Sequence, residues 1–516
     1  MDILLFNQFF SSPKSCPNRY LSTLPLNLLS LASYLKVRGI PSKIIELGSH
    51  KTDRPIEVNG RVRFGLSDNT IISIIKSENP KIIGIGCMYS RHYRDVLYLT
   101  RLIKSFDEKI ITVIGGNHAT SYLNRVVNEA NIDFIVVGEG EITFFELCQR
   151  ILNGGVDFKD IKGLAFRNNN NEIVKTQQRE LIKNLDDLPI SDFTLIDMNA
   201  YLQDAVSPFL MRPPSFSVIS SRGCPGKCVF CTVKNVWGRT WRGRSAKHFV
   251  DEIQLLYDRY SIKEFGIMDD TASLDKERWV EICNEIIKRK LDIKWTTPNG
   301  IAHWTLNESI IRKMKESGCY RITFGIESGS PETRRFIRKS YDLKGAANLI
   351  RFANRIGMWT ICTNILGFPY ETKTAVDETI KYAKTCGTDF ATFFLLCPDM
   401  TSDVYSYFKK EKLLDFEASL NSSSSSSANI DEMERALSEE GVTTCHFTSK
   451  QLKKTQMQAY RGFMLRRGPS FLFTLRLARK IKSFEDFLYA MRLIAQGIKI
   501  FRNSFLKTNT MTLLHD

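Results

Sequence analysis

The chain has 516 residues, of which 43% are hydrophobic and 25% are charged. These values are typical of globular proteins with two or three domains, and they exclude a largely disordered chain or one built mainly of membrane spans. The formal net charge is +16, but residues 450–516 contain fourteen Lys and Arg and only three acidic residues, so a nucleic-acid groove running through the whole protein is not expected.

Apolar strands alternate with helical patterns over residues 1–150, which predicts a doubly wound parallel sheet. The predicted strands are Ile3–Phe6, Ser42–Leu47, Lys81–Gly86, Ile110–Gly115 and Phe134–Val137, and the clearest helices are Leu26–Val37 and Tyr93–Lys104. In such sheets a ligand binds beyond the carboxyl ends of the strands, where glycines allow a close approach to the backbone. Glycines follow three of these strands, in the runs 84–90 (GIGCMYS), 115–120 (GGNHAT) and 138–141 (GEGE), although tight turns explain many such glycines equally well.

Residues 151–212 are predicted to form a connector between two domains, because they carry polar, hairpin-like material with four asparagines at 168–171. A second strand-then-helix pattern occupies residues 213–400. Its strands are Phe216–Ser220, Glu264–Met268, Lys294–Thr297, Arg321–Ile326, Thr360–Leu366 and Phe390–Leu396, with helices such as Phe249–Tyr260 and Trp279–Lys290 between them. Six such units predict a partial (β/α)6 barrel of the TIM type. The predicted fold class is therefore α/β, with a doubly wound, Rossmann-like sheet followed by a partial barrel and a helical C-terminal region.

The rest of the chain is predicted to be a linker region and a basic helical region. The linker region, residues 401–449, contains the low-complexity run Ser422–Ser427, which carries no site. Helical periodicity covers Ile430–Leu437 and Lys450–Leu465, and residues 450–516 form the basic region. Because Phe471–Lys507 mixes apolar and basic residues at roughly helical spacing, peripheral contact with an anionic membrane surface is one interpretation, beside that of a solvated helical face.

The cellular compartment is predicted from the apolar segments and the cysteines. There is no uncharged apolar run of about 18 residues, and the N-terminal residues fit a strand rather than a signal peptide. The 12 cysteines are mostly scattered in apolar segments, which is typical of reduced, buried thiols rather than of a disulfide framework. We therefore expect a cytoplasmic protein, peripheral to the inner face of the membrane if the basic region binds there.

Three cysteines form the most informative motif. Cys224, Cys228 and Cys231 lie in CPGKCVFC, directly after the first predicted barrel strand, so one loop can bring three thiolates to one metal centre. A closed zinc site or a fully protein-bound cubane cluster has four protein ligands, so three leave a coordination position open for chemistry. A structural zinc site with a distant fourth ligand is the alternative.

The C-x3-C-x2-C spacing, with Phe230 before the third cysteine, resembles the signature of the radical S-adenosylmethionine (SAM) superfamily. The resemblance implies that the three cysteines bind a [4Fe–4S] cluster whose open iron binds SAM, and that an electron passed into the sulfonium yields a 5'-deoxyadenosyl radical.

Further motifs follow in the order expected of the superfamily. Asp269 and Asp270 end the second barrel strand, Glu327 lies in GIESG after the fourth strand, and Gly367 lies in LGFPYE after the fifth. The resemblance implies that these four residues and Phe230 contact SAM, with Asp270 and Glu327 as its principal ligands.

The first domain resembles the cobalamin-binding domain of one branch of this superfamily, through the GGNH and VGEGE runs. The cobalamin contacts implied by the resemblance are Gly86, Ser90, Gly115, Gly116, Gly138, Glu139 and Gly140. No Asp-x-His-x-x-Gly run follows the first strand, so we expect cobalt without a histidine ligand from this domain. His92 and His118 remain candidate ligands, but we favour the interpretation that they are turn or surface histidines.

The resemblance implies a cobalamin-dependent radical methyltransferase that acts on an unactivated carbon or, less often, on phosphorus. One SAM molecule provides the methyl group by way of cobalamin, and a second is cleaved to the radical that removes a substrate hydrogen. A radical oxidative cyclase of the anaerobic porphyrin type shares these motifs and stays open, as does a non-catalytic corrinoid or iron–sulfur sensor. The implied partners are a small-molecule or lipid-like substrate and an external electron donor of the flavodoxin or ferredoxin type, without nucleic acid.

Overall fold

The computed structural model describes residues 1–13, 24–48, 55–58, 61–202, 209–339, 341–414, 441–467 and 471–505. The chain divides into two compact units. The first contains Met1–Asp204 and the short segment Val233–Gly238, and the second contains Ala205–Thr232 and most of the chain after Arg239. The serine run and the predicted helix Ile430–Leu437 lie outside the described residues, and the predicted domain boundaries stay predictions.

A seven-stranded sheet forms the centre of the first unit. The strands of this unit are β1 (Ile3–Asn7), β2 (Phe10–Pro13), β3 (Lys43–Glu46), β4 (Ile56–Val58), β5 (Arg61–Phe64), β6 (Ile82–Gly86), β7 (Ile111–Gly115), β8 (Phe134–Val136), β9 (Leu164–Arg167) and β10 (Ile173–Lys175). The sheet order is β10-β9-β8-β7-β6-β1-β3, in which the five predicted strands are mutually parallel. The predicted doubly wound sheet is confirmed.

Two parts of this unit differ from the prediction. The hairpin β9–β10, predicted as part of a connector, pairs antiparallel with β8 and extends the sheet, because Leu164, Ala165 and Phe166 are all buried there. A separate antiparallel sheet, β2-β5-β4, was not predicted, since its strands have only three or four residues and little periodicity can be read from so short a run.

The strand order of the main sheet reverses between β1 and β6. From β1 the chain adds β3 on one side, and from β6 it adds β7 and β8 on the other. This is the flavodoxin-like order, in which a ligand binds outside the carboxyl ends of the strands at the reversal point. The helices of this unit are α1 (Leu26–Lys36), α2 (Asp68–Glu78), α3 (Tyr93–Phe106), α4 (Asn117–Ser121), α5 (Leu123–Val126), α6 (Glu141–Leu152), α7 (Met198–Leu202) and α8 (Lys234–Trp237), with short 3-10 turns at Ser90–His92, Leu185–Asp187 and Phe193–Leu195.

A six-stranded, fully parallel sheet forms the centre of the second unit. Its strands follow one another in chain order: β11 (Ser215–Val218), β14 (Glu264–Ile267), β15 (Lys294–Ile301), β16 (Cys319–Glu327), β17 (Trp359–Leu366) and β18 (Phe390–Leu395). A separate antiparallel pair is made by β12 (Ser221–Arg222) and β13 (Arg242–Gly243). The six predicted barrel strands are thus all present, and the predicted partial barrel is confirmed.

Helices connect the barrel strands and continue to the end of the described chain. They are α9 (Ala246–Tyr260), α10 (Lys276–Lys288), α11 (Glu308–Glu316), α12 (Pro331–Phe336), α13 (Leu343–Arg355), α14 (Lys373–Thr385), α15 (Asp403–Lys410), α16 (Ser449–Arg467), α17 (Phe471–Lys480) and α18 (Phe484–Phe505), with a 3-10 turn at His303–Thr305. Side-chain caps mark several N-termini: Ser245 accepts from the His248 N–H at α9, and Asp275 accepts from the Arg278 N–H at α10.

The basic C-terminal helices pack against the barrel. Helix α16 covers β18, the last strand of the open sheet: Gln456 Nε2 donates to the Phe393 carbonyl, and the Phe393 N–H donates to the Tyr460 hydroxyl. Helix α18 places Tyr489 in a buried cluster with Trp359. None of the helices in the described ranges is both long and apolar enough to span a membrane.

Candidate active site

The cysteine loop leaves the barrel directly after β11 and is closed at its base by the β12–β13 pair. Cys224, Cys228 and Cys231 are half-buried, and none of them forms a disulfide. A Cβ atom at Gly226 would lie 3.2 Å from the Cys224 Sγ and 3.8 Å from the Cys228 Sγ. Glycine at this position therefore keeps the space between two of the thiols open.

The loop is fixed to the barrel through Val229, which is fully buried between the second and third cysteines. Its N–H donates to the Ile337 carbonyl and its carbonyl accepts from the Val404 N–H. The thiols are thus held on an ordered loop at the carboxyl end of the barrel, where enzymes of this architecture place their chemistry.

The donor set of the loop consists of three thiols, those of Cys224, Cys228 and Cys231. A structural zinc requires four ligands at about 2.0–2.3 Å from a single ion, whereas thiolates that bind a cubane cluster are spread over different iron atoms. Three thiols on one loop therefore suit a [4Fe–4S] cluster with one iron left open.

Asp269 and Asp270 follow β14 and have different surroundings. The Asp269 carboxylate is fully buried and accepts hydrogen bonds from the Ser220 N–H, the Ser220 hydroxyl (2.6 Å) and the Ser221 hydroxyl. These contacts give Asp269 a structural role in tying β14 to the start of the cysteine loop, which does not support its predicted contact with SAM. Asp270 is exposed, with one oxygen 3.1 Å from the Gly223 N–H, so it remains available to a ligand.

Glu327 ends β16 in an unusual conformation. Its φ is +66°, in the left-handed region that a non-glycine residue enters at a cost of about 1–2 kcal/mol, and the register with β17 shifts between Gly325 and Glu327. The Lys339 Nζ lies 2.7 Å from the Glu327 Oε1, and both side chains are nearly nine-tenths buried. A strained residue held by a buried ion pair at a strand end is typical of a functional site.

The other two predicted SAM contacts lie near each other in the structure. Phe230 packs on Phe368, with ring centroids 5.9 Å apart, and Gly367 precedes that phenylalanine with a φ of +98°. The Gly367 N–H donates to the Glu371 Oε2 at 2.8 Å. Burial raises the pKa of Glu371 to about 7, well above its ordinary value. The hydrogen bond from the Gly367 N–H to this carboxyl group stabilises the turn.

Three aromatic side chains that the sequence did not single out lie at the same end of the barrel. Trp304 stacks on Tyr341 with ring centroids 3.7 Å apart, and His303 meets both rings edge to face. Tyr341 is close enough to Cys224, Cys228 and Glu327 for their charges to raise its pKa, although burial is the larger cause. Trp304 is 42% exposed and offers a flat surface to a ligand.

The predicted cobalamin contacts lie at the carboxyl ends of β6, β7 and β8. Gly116 has a φ of +108°, and a Cβ atom there would lie 2.6 Å from the Cys87 carbonyl oxygen, so this glycine serves the close packing of two strand ends. Gly138 has a φ of +79° and nothing lies within 4 Å of its missing Cβ. Its N–H donates to the Thr120 hydroxyl. The open space at Gly138 fits the close approach of a broad ligand such as a corrinoid.

The remaining predicted contacts at this edge are packed into the protein. A Cβ atom at Gly86 would meet Asn27, one at Gly115 would meet Val136, and one at Gly140 would meet Leu31 and Val136. The Glu139 carboxylate is buried and accepts from the Ile182 N–H at 2.8 Å, which is a structural contact.

His92 and His118 are buried. The interpretation that they are surface histidines is therefore wrong. His118 Nδ1 lies 2.8 Å from the Ser90 hydroxyl, and its ring lies against Tyr93 and Tyr122. Burial lowers the pKa of both histidines to about 3, which keeps them neutral at pH 7. Their contacts are those of core histidines.

Sequence reasoning missed Lys339 and the aromatic group at Trp304. Lys339 follows Glu327 by twelve residues and lies in no motif, so only the fold shows that the chain returns to the cysteine loop through α12. A signal for Trp304 was present in its position directly after the third barrel strand, at the end where side chains reach a ligand.

Comparison with known proteins places both units in established families. A model of the radical SAM superfamily matches residues 218–383, and a model of the B12-binding domain matches residues 18–148. An uncharacterised methyltransferase of Pyrococcus horikoshii is 32% identical over 450 residues, which is 87% of this chain and 93% of that protein.

Two further relatives have lower sequence identity. Cytidylyl-2-hydroxyethylphosphonate methyltransferase of Streptomyces wedmorensis is 29% identical, over 77% of this chain and 80% of that protein. Anaerobic magnesium-protoporphyrin IX monomethyl ester cyclase of Rubrivivax gelatinosus is 26% identical, over 75% of this chain and 67% of that protein.

Among solved structures, the radical SAM methyltransferase TsrM of Kitasatospora setae, with cobalamin and a [4Fe–4S] cluster bound, matches with a TM-score of 0.67 at 16% identity. The match covers 97% of this chain and 98% of that chain, and it confirms the predicted fold class. The chain therefore belongs to the radical SAM superfamily, in the branch whose members carry a B12-binding domain, and it is a radical SAM enzyme of the methyltransferase kind.

Proposed function

We propose that the protein methylates an unactivated carbon or phosphorus centre of a small molecule, using a [4Fe–4S] cluster, SAM and cobalamin. The observation that carries the proposal is the loop with three free thiols, Cys224, Cys228 and Cys231, at the carboxyl end of the barrel that also bears Glu327. In the other unit, the open backbone at Gly138, at the carboxyl end of the parallel sheet, supports cobalamin as the methyl carrier.

When bound, the three cofactors supply the radical and the methyl group. The protein holds and orients them. The three cysteines would bind the cluster, Asp270 and Glu327 would accept hydrogen bonds from the charged amino-acid end of SAM, and the open backbone at Gly138 would admit the corrinoid.

The substrate side of the site is proposed to be the aromatic surface of Trp304 and Tyr341. A flat, exposed indole stacked on a phenol favours a substrate with a planar or cationic group, since such groups stack on aromatic faces. Trp304→Ala should raise KM for the methyl acceptor about tenfold and leave kcat nearly unchanged. Trp237→Ala, a change in the other unit, is the matched control, and an equal rise in KM there would contradict the assignment.

A product analysis tests methyl transfer against the alternatives. The anaerobically reconstituted protein, with cobalamin and a chemical reductant, is given SAM and either cytidylyl-2-hydroxyethylphosphonate or magnesium-protoporphyrin IX monomethyl ester. A methylated product together with S-adenosylhomocysteine supports the proposal, and incorporation of a deuterated methyl group from labelled SAM identifies the donor.

The cyclase remains the second candidate because a cyclase is among the relatives, 26% identical over 75% of this chain. Release of 5'-deoxyadenosine with loss of substrate hydrogen, and without methylation, would favour it. An intact cluster with no 5'-deoxyadenosine under reducing conditions would favour the non-catalytic sensor. A flavodoxin- or ferredoxin-type electron donor and a cytoplasmic location stay predictions.

We also propose peripheral membrane contact through α18. Phe484, Leu488, Met491 and Ile498 are exposed at helical spacing, whereas Tyr489 is buried, and the basic region around them carries a large positive excess. An apolar stripe flanked by basic residues favours an anionic lipid surface. The double variant Leu488→Ser, Met491→Ser should no longer float with phosphatidylserine vesicles. Neutral phosphatidylcholine vesicles serve as the control. Binding of the double variant equal to that of the wild type would refute the contact.

A further inference from the structure

Lys339 is a buried cation beside the cysteine loop. Its side chain is 11% exposed, and its Nζ lies 2.7 Å from the Glu327 Oε1. The second oxygen of that carboxylate has only a long contact, 3.5 Å, with the Thr363 hydroxyl. Lys339 is therefore the principal partner that holds Glu327 in place.

The space around the ion pair is kept open by a glycine. A Cβ atom at Gly325 would lie 3.0 Å from the Glu327 Oε1 and 3.3 Å from the Lys339 Nζ. The absence of a side chain at Gly325, the left-handed φ of Glu327 and the shifted register of β16 together make room for the ion pair at the strand end. A pair needed only for stability would not require a strained backbone, because a surface ion pair or an apolar contact stabilises a fold at least as well.

The segment that carries Lys339 is hydrogen-bonded to the cysteine loop, since the Val229 N–H, directly after Cys228, donates to the Ile337 carbonyl, two residues before Lys339. Burial by itself lowers the pKa of Lys339, but the Glu327 carboxylate at 2.7 Å acts in the opposite direction, and the pKa lies above its ordinary value. Lys339 therefore remains a cation at pH 7. Because it is buried, its charge is little screened by water or salt.

We propose that Lys339 is a positioning residue of the active site, which orients Glu327 for SAM and places a fixed positive charge beside Cys224 and Cys228 that makes the bound cluster easier to reduce. The inference rests on the proposed function only in that the cysteines hold a cluster. It does not depend on methyl transfer or on the substrate. A cluster with thiolate ligands becomes more negative when it takes up an electron, so a nearby cation stabilises the reduced state.

Three variants separate charge from position: Lys339→Met, Glu327→Gln and the double variant. Each is reconstituted anaerobically, and the midpoint potential of the cluster is measured by a redox titration followed by electron paramagnetic resonance. Lys339→Met should lower the potential and Glu327→Gln should raise it. The double variant restores the net charge, so its potential should return close to that of the wild type, while its dissociation constant for SAM should stay raised by about tenfold or more.

The conservative variant Lys339→Arg keeps the charge and should keep the potential, with a smaller loss of SAM affinity. An unchanged potential in Lys339→Met at full iron content would overturn the inference, and so would a double variant shifted as far as Lys339→Met. If Lys339→Met does not fold because it leaves Glu327 buried without a partner, Glu327→Gln decides the question, since an unchanged potential there overturns the inference as well.

The outcomes also separate this inference from the proposed function. The predicted shifts together with no methylated product would contradict methyl transfer alone. Normal methyl transfer with no shift would contradict the role of Lys339 alone, and a wild-type protein that assembles no cluster would overturn both.

Discussion

The two units of this protein place different kinds of groups at the carboxyl ends of their parallel strands. The barrel end carries charged groups and thiols: Asp270, the Glu327–Lys339 pair and the cysteine loop. The first sheet presents open glycine backbone at Gly138, and its predicted contact Glu139 is turned into the protein.

The difference follows from what each edge has to bind. A zwitterionic sulfonium compound on a metal cluster is recognised by charge and hydrogen bonds, so its site must present them. A corrinoid is broad and is contacted largely through its faces. The backbone that it approaches must therefore lack side chains that would block it. The residue type at a strand end therefore indicates which ligand binds there only when the contacts of each side chain are known.

The largest expected effect concerns the charged edge. Cys228→Ala should abolish the iron–sulfur absorbance near about 400 nm and the reductive cleavage of SAM, because two thiolates cannot retain the cluster. Cys283→Ala, in the same unit but buried in α10, is the control and should keep both. Normal SAM cleavage by the Cys228 variant would remove the basis of the proposed function.

The glycine edge can be tested by a matched pair of variants. Gly116→Ala places a methyl group against the Cys87 carbonyl at a φ of +108°, and it should destabilise the first unit by about 2–4 kcal/mol. Gly138→Ala meets no atom within 4 Å and should cost only about 1–2 kcal/mol.

For cobalamin binding we expect the opposite order of effects: Gly138→Ala should weaken binding more than Gly116→Ala does. If the corrinoid lies on Gly138, the Gly138→Ala protein folds but binds cobalamin at least about tenfold more weakly, as measured by equilibrium dialysis. Wild-type affinity in that variant would show that the corrinoid does not approach this backbone.

An effect that depends on pH is expected from Glu371 at the barrel edge. Its pKa in the folded protein is about 7, raised by burial from the ordinary 4.5. Between about pH 4.5 and 7 the unfolded chain loses a proton that the folded protein keeps, so the free energy of unfolding falls as pH rises, by about 3 kcal/mol in all.

Glu371→Gln keeps an acceptor for the Gly367 N–H and removes this titration. The variant should therefore be more stable than the wild type above pH 7 and nearly equal to it near pH 4.5, as measured by urea unfolding of the two proteins at both pH values. A difference that does not change with pH would show that Glu371 ionises normally in the fold.

The sequence predicted what depends on local pattern. Apolar runs identified the five parallel strands of the first sheet and the six strands of the barrel, and the family and fold class followed from motifs in a fixed order. The sequence named Asp270 as a principal SAM ligand and Asp269 as a further contact, but it could not show that the Asp269 carboxylate is buried, because the direction of each side chain depends on how the chain continues from β14 beside the cysteine loop. Lys339 was missed for a related reason, since its importance arises from a turn of the chain in space and not from its neighbours in sequence.

Helix α16 completes a sheet that its own strands leave open. Without the side chains of Gln456 and Tyr460, the outer backbone groups of β18 at Phe393 would face solvent and could pair with a strand of another molecule. A chain shortened before α16 should therefore self-associate through this strand. Membrane binding of the C-terminal region is consequently better tested by point substitutions on α18 than by deletion.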